Sequence, residues 1–242
     1  MKGIIILFFL TSIIIFSSPA FAHKLIPTDG TNIDINSALQ IPDPVISWAM
    51  YEKLNGNTLF YKFDAQKQDR LYASIVIPKL DELEKFTPSL AFIAPSFTLE
   101  YIDELRDKTP KNNLPFSVPS GYDVFVFEYT GMIPSKEFYE PFGQITYWER
   151  QEIDLTIPAD ATYYLAVYDD NNQLGKLALA VGYIEDFSAS DFMTVLPTAW
   201  FESRYFVDDY LTPVIVFVII IAIVSGIIFL VYRKIKKIKK KK

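Results

Sequence analysis

The residue with the clearest capacity for chemistry is His23, the single histidine of the 242-residue chain, which directly follows the letters PAFA. If a signal peptidase cleaves after Ala22, His23 starts the mature protein and carries a free amine beside its imidazole. Cu(II) accepts such nitrogen ligands but prefers several of them. With no second imidazole, water, Asp29, Asp34 or a partner protein would have to complete the sphere. His23 is thus a candidate metal ligand, incomplete by itself.

Other kinds of site are poorly supported by the composition. The chain has no cysteine, which excludes disulfides, thiolate zinc sites and thiol nucleophiles. Its nine glycines form no phosphate-binding pattern. The densest cluster of oxygen ligands, YDDNN at 168–172, is more typical of a turn than of a calcium loop. We therefore expect no catalytic residue and no cofactor, and a protein that is not an enzyme.

A ligand or partner surface is the next candidate, and Tyr147, Trp148 and Arg150 form its best local case. Aromatic rings beside a guanidinium can stack on sugars or hold a protein partner. The alternative is that these rings belong to the core, because a domain without disulfides depends on burying its aromatic residues, which make up 16% of this chain.

Both ends of the chain carry membrane signals. Lys2, an apolar run and Ala20 and Ala22 before the cleavage point predict a secretory signal peptide over 1–22, with an uncleaved anchor as the alternative. Residues 211–232 are uncharged and long enough to cross a bilayer. The tail RKIKKIKKKK follows at once and predicts a single span with the tail in the cytoplasm.

The charge is divided unevenly along the chain. All 29 acidic residues lie between the signal peptide and the span, together with only 14 of the 23 basic residues. So acidic an outer region disfavours nucleic acid as a partner. The lysine-rich tail is suited to anionic lipid, although it also serves to fix the topology. A membrane span and an envelope or membrane protein are the expected partners.

The segment between the termini is typical of an all-β fold. Short aromatic and β-branched runs alternate with turns, which predicts an antiparallel β-sandwich followed by one C-terminal transmembrane helix. Leu59, Tyr61 and Phe63 should share one face. The insertion at 96–121 has helical spacing and predicts a short helix. The turn DNNQLG predicts that 162–183 forms a β-hairpin.

The segment before the span changes character. Its aromatic residues approximate a helical stripe that Pro197 interrupts, and the rings are suited to the membrane surface; a final strand or a helix packed on the sandwich is the alternative. The juxtamembrane residues concerned are Trp200, Phe201, Tyr205 and Phe206. The predicted organisation is a signal peptide (1–22), an extended segment (23–44), the sandwich (45–187), a juxtamembrane segment (188–210), the transmembrane helix (211–232) and the cytoplasmic tail (233–242).

Three patches of sequence resemble a known family. The stretches LTIPADATYYLAVYDDNNQLGKLALAVG, NTLFYKFDAQKQDRLYASIVIP and PSLAFIAP are similar to the strands of the bacterial and archaeal pre-peptidase C-terminal type of β-sandwich. The insertion at 96–121 has no counterpart in that pattern. The resemblance implies a non-catalytic accessory sandwich on exported proteins and supplies no active-site residues. The sequence therefore favours a binding or assembly module, with a copper-binding protein or a carbohydrate-binding module as alternatives.

Overall fold

Two β-sheets packed face to face make up most of the computed structural model, which describes residues 23–105 and 113–239. The strands are β1 (Lys24–Leu25), β2 (Leu39–Gln40), β3 (Trp48–Leu54), β4 (Leu59–Ala65), β5 (Arg70–Pro78), β6 (Ser89–Pro95), β7 (Tyr122–Phe127), β8 (Glu137–Glu140), β9 (Ile145–Thr156), β10 (Ala161–Tyr168) and β11 (Gly175–Val181). A six-stranded sheet has the order β1-β3-β11-β5-β9-β8, and a five-stranded sheet the order β2-β4-β10-β6-β7.

The predicted β-sandwich is confirmed, with one difference in strand direction. All pairings are antiparallel except those of β1 with β3 and of β2 with β4, which are parallel. Each of these two strands has two residues and comes from the segment that was predicted to be extended. Each sheet therefore contains one parallel pairing beside its antiparallel ones, so both sheets are mixed.

The main core lies between the two sheets. Leu59, Tyr61 and Phe63 all belong to it and are almost fully buried, as their period-two spacing predicts. Asp64, on the opposite face of β4, is exposed. Aromatic side chains supply much of the buried area, as expected of a domain without disulfides.

A second apolar cluster covers the outer face of the five-stranded sheet. Phe116 packs edge-on against Phe60 and Tyr168, at 5.2 Å and 5.5 Å between ring centroids. Leu114 and Val118 pack there as well. These covering residues belong to the 96–121 insertion, so that sheet is covered on both faces within the described part of the chain.

The short helix predicted in the insertion is present as the two 3₁₀ helices Ser96–Tyr101 and Asp103–Leu105; residues 106–112 lie outside the described part. Another sequence prediction needs correction. The hairpin predicted at 162–183 does not form, because β10 pairs with β4 and β6 while β11 pairs with β3 and β5. The connection crosses from one sheet to the other, since both strands are apolar on both faces and each fits inside a sheet.

Two helices follow the strands, α1 (Val195–Phe206) and α2 (Leu211–Lys239). Pro197 lies in the first turn of α1, where proline is tolerated, so the helix is not interrupted there. The chain divides into two compact units, one ending at Trp200 and the other beginning at Phe201. In the second unit Asp209 accepts a hydrogen bond from the backbone N–H of Thr212, at 3.0 Å, and so caps α2.

The second helix carries the membrane prediction. The stretch Leu211–Lys236 is the one helix in the described residues that is long and apolar enough to cross a membrane. The predicted signal peptide lies outside the described residues. The orientation of the span and the domain boundaries stay predictions.

Candidate functional site

A large cavity in the described part of the chain lies on the outer face of the six-stranded sheet. Its volume is about 1120 Å³. Strands β3, β11, β5 and β9 form its floor, and the loop 128–136, between β7 and β8, lines it as well. We call it the outer-face cavity. It lies on the sheet face that the described residues of the 96–121 insertion leave uncovered.

The register of the strands places small side chains in the floor of the cavity. One row across the sheet consists of Ala49, Ala180, Ser74 and Glu152, in that order from β3 to β9. The next row consists of Tyr51, Ala178, Val76 and Glu149. Small side chains thus occupy the middle of both rows, while a tyrosine and two carboxylates stand at their ends.

A β-bulge brings the two carboxylates of β9 onto one face. Glu149 pairs with Val76 and Glu152 with Ser74, so two residues of β9 face a single residue of β5. In a regular strand, residues three apart point to opposite faces. The extra residue of the bulge shifts the alternation by one, so that Glu149 and Glu152 point to the same face. Both line the outer-face cavity.

Four tyrosines line the cavity, at positions 51, 72, 129 and 147. The hydroxyl of Tyr51 is hydrogen-bonded to Tyr147, while burial and the nearby Glu140 raise its pKa. The hydroxyl of Tyr72 donates to Glu152 at 3.1 Å. The hydroxyl of Tyr129 donates to the carbonyl oxygen of Met132 at 2.9 Å. Hydrogen bonds therefore hold all four rings in place, and Tyr51 stays protonated at neutral pH.

The lining has more acidic than basic groups. Glu128, Glu140, Glu149 and Glu152 face Lys136 and Arg150. Lys136 pairs with Glu149 at 3.1 Å. Glu140 accepts the backbone N–H groups of Phe142 and Gly143, which fixes its carboxylate at the end of β8. The cavity therefore has a net negative charge, in keeping with the excess of acidic residues that precedes the apolar helix α2 in the sequence.

Arg150, one of the residues proposed from sequence, is tied to the backbone. Its guanidinium donates to the carbonyl oxygens of Phe86 at 3.0 Å and Glu84 at 2.8 Å, and to the hydroxyl of Ser135. The ring of Tyr129 lies over it at 5.2 Å. Arg150 thus fastens the loop 128–136 to the sheet and has few donors left for a ligand.

Tyr147 and Trp148 are separated by the pleat. Tyr147 lines the outer-face cavity, whereas Trp148 is 3% exposed and packs in the main core. The indole N–H of Trp148 has no hydrogen-bond partner among the described residues. Of the surface predicted from sequence, Tyr147 is therefore the residue whose aromatic ring faces the cavity.

His23 also lines the cavity, at the end of β3. Its Nδ1 is hydrogen-bonded to the hydroxyl of Ser47 at 2.5 Å, and burial lowers its pKa. No group of three or more histidine, cysteine or acidic side chains in the described residues is placed to hold a metal. Ser47 is itself buried and is not among the residues that line the cavity.

The juxtamembrane aromatic residues all lie on α1. Trp200, Phe201 and Phe206 are partly buried, while Tyr205 is 47% exposed. In the second compact unit, the ring of Phe201 stacks on Phe217 at 5.5 Å and that of Tyr205 packs near Tyr210 at 5.7 Å. These contacts join the end of α1 to the start of α2.

Comparison with known proteins gives distant likenesses of structure. No protein-family model matches the chain, and no curated protein matches its sequence. A pre-peptidase C-terminal domain of a Bacillus anthracis collagenase is similar at 14% identity and a TM-score of 0.27, over 59% of this chain and 91% of that one. A periplasmic inhibitor of g-type lysozyme from Aeromonas hydrophila is similar at 11% identity and a TM-score of 0.30, over 66% of this chain and 98% of that one.

The first of these structures represents the family that the sequence resembles, so the resemblance is confirmed as a distant one. At such TM-scores neither likeness carries an argument about function. The cavity, described from its own residues, is the feature on which a function has to be based.

Proposed function

We propose that this protein is a membrane-anchored, non-catalytic binding module that holds another envelope or membrane protein outside the cytoplasm. The observation that carries the proposal is the outer-face cavity. It is a site on the six-stranded sheet, lined by tyrosines and carboxylates, on the face that the described residues of the insertion do not cover. Tyrosine supplies contact area at a low cost in side-chain entropy, which suits it to binding surfaces.

The arrangement of polar groups favours binding over catalysis. The one histidine lines the cavity, but the Ser47 hydroxyl to which its Nδ1 is bonded does not, so this pair presents no activated hydroxyl to a substrate bound there. Glu140 is engaged by two backbone N–H groups, and Glu152 accepts the Tyr72 hydroxyl. Each of these interactions fixes a side chain in place, as a preorganised binding surface requires.

The location belongs to the same proposal. The span Leu211–Lys236 anchors the chain, and the basic residues that follow it favour a cytoplasmic tail. The sandwich then lies on the outer side of the membrane, where the cavity meets partners in the envelope. The lysine-rich composition of the tail suits it to anionic headgroups on the inner side.

Site-specific photo-crosslinking in intact membranes tests the proposal. A photoreactive residue is placed at Ser74, in the cavity floor, and in a control variant at Asp64, an exposed position of β4 outside the cavity. We expect a discrete protein adduct from Ser74 and none from Asp64, with mass spectrometry identifying an envelope or membrane protein. Equal labelling from both positions, or a protein that always runs as a lone monomer in mild detergent, contradicts the proposal.

A further inference from the structure

We infer that the outer-face cavity takes a basic, extended segment of its partner, with lysine or arginine side chains lying over the tyrosine rings and pairing with Glu149 and Glu152. This inference rests on the proposed function and names the chemistry of the partner. Size, charge and the kind of side chain that lines the cavity support it independently.

The cavity is large for a small-molecule site. Its 1120 Å³ exceeds the range of about 300 to 1000 Å³ that is usual for such sites. The floor spans four neighbouring strands, about 14 Å at the usual strand spacing. Ala49, Ala178 and Ala180 contribute only methyl groups to this floor, so no large side chain fills the cavity above them. A chain of several residues fits such a floor better than a single compact metabolite.

Charge selects a cationic occupant. The lining has four carboxylates against two cations, and Arg150 already spends its guanidinium on Phe86, Glu84 and Ser135. The imidazole of His23 adds no charge at neutral pH, because burial lowers its pKa. The surrounding region is acidic too, with 29 acidic residues against 14 basic ones between signal peptide and span. Such a field attracts a basic segment from a distance and repels an acidic one.

The tyrosines add a second attraction to cations. An ammonium or guanidinium group over a tyrosine ring interacts with its electron-rich face. The protein already makes this contact within the cavity, where Tyr129 lies over Arg150 at 5.2 Å. Tyr72, whose hydroxyl holds Glu152, places a ring and a carboxylate side by side. A lysine or arginine side chain meets both features at that point.

Peptide binding to the full chain in mild detergent tests the inference. The probe is a labelled, end-blocked peptide of alternating lysine and serine, followed by fluorescence anisotropy at about 0.15 M salt, where the Debye length is about 8 Å. A glutamate–serine peptide, a polyamine and a neutral oligosaccharide serve as comparison ligands. We expect the lysine peptide to bind most tightly of the four. Stronger binding of the oligosaccharide or the polyamine overturns the inference.

Matched variants separate the cavity from the overall charge. Replacing Glu149→Gln together with Glu152→Gln should weaken lysine-peptide binding about tenfold or more, since charge-assisted hydrogen bonds are lost. Replacing Glu82→Gln together with Glu185→Gln removes the same charge outside the cavity and should change the affinity less than about twofold. Equal effects of the two double variants overturn the inference.

A steric variant guards against an electrostatic artefact. Replacing Ala180→Trp fills the floor of the cavity, whereas Lys176→Trp puts the same ring on the same face of β11 outside it. We expect the first variant alone to abolish peptide binding, with the thermal midpoints of both close to that of the parent. If the partner crosslinks at Ser74 but the lysine peptide does not bind, the inference fails while the proposed function stands. If the peptide binds the cavity but no partner crosslinks there, the proposed function fails.

Discussion

Replacing Arg150 by alanine should destabilise the sandwich far more than replacing the neighbouring surface arginine, Arg70. The Arg150 guanidinium holds the carbonyl oxygens of Phe86 and Glu84 and the hydroxyl of Ser135, and its side chain is 7% exposed. Its removal leaves two carbonyl oxygens without their donor, at about 1 to 3 kcal/mol for each that stays buried. Because Glu84 is only half-buried and water can reach its carbonyl oxygen, a total loss of about 3 kcal/mol is expected.

The magnitude is large enough to measure by thermal unfolding. In a domain of this size a loss of about 1 kcal/mol lowers the midpoint by about 2 to 4 °C, so Arg150→Ala should lower it by about 6 to 12 °C. Arg150→Lys should fall in between, since an ammonium group cannot serve both carbonyls as the planar fork does. Near-ultraviolet circular dichroism of the purified full chain follows the transition.

Arg70 provides the matched control on the adjacent strand. It forms an ion pair with Asp154, but the two side chains are 52% and 45% exposed. An exposed pair contributes about 1 kcal/mol or less, so Arg70→Ala should shift the midpoint only slightly. Equal shifts for Arg150→Ala and Arg70→Ala would refute the view that Arg150 stabilises the sandwich through the carbonyl oxygens of Phe86 and Glu84 and the hydroxyl of Ser135.

Two further predictions concern the buried carboxylate and one glycine. Glu52 accepts the Tyr61 hydroxyl at 3.0 Å, and burial raises the pKa of its carboxyl group. The free energy of unfolding of the parent should therefore fall as the pH rises from about 4 towards the raised folded-state pKa. Glu52→Gln should flatten that decline in denaturant titrations at several pH values, and parallel profiles would contradict the assignment. Gly182→Ala should cost several times more stability than Gly56→Ala: both glycines have positive φ, but a Cβ at Gly182 would lie 2.0 Å from the Ile46 carbonyl oxygen, whereas nothing lies within 4 Å at Gly56. Similar unfolding midpoints for the two glycine variants would argue against the close approach at Gly182.

Local patterns in the sequence predict most strands but not their neighbours. The alternation of Leu59, Tyr61 and Phe63 identifies a core face because a period of two is a property of one strand alone. Which strands pair depends on the whole fold. The turn after Tyr168 shows that a turn sequence alone does not predict the pairing. Asp169 accepts the backbone N–H groups of Asn171 and Gln173, at 2.8 Å and 2.9 Å, so the turn residues serve a crossing between sheets equally well.

The outer-face cavity was beyond local prediction for two physical reasons. Its rows join residues far apart in the chain, such as Ala49 with Ala180, and only the register of the strands brings them together. The bulge in β9 also reverses the parity that separates Glu149 from Glu152. Period-two spacing puts Tyr147 and Trp148 on opposite faces, and that alone should have kept them from being grouped as one surface.

The two-residue strands β1 and β2 have a consequence for aggregation. Each lies beside a seven-residue strand, β3 or β4, that would otherwise end its sheet with a row of open backbone groups. Such an open strand invites pairing with another molecule. Because the covering pieces precede β3 and β4 in the chain, they cannot dock until the strands that they protect have been made. The interval before they dock is the time at which newly made copies are most exposed to pairing with one another.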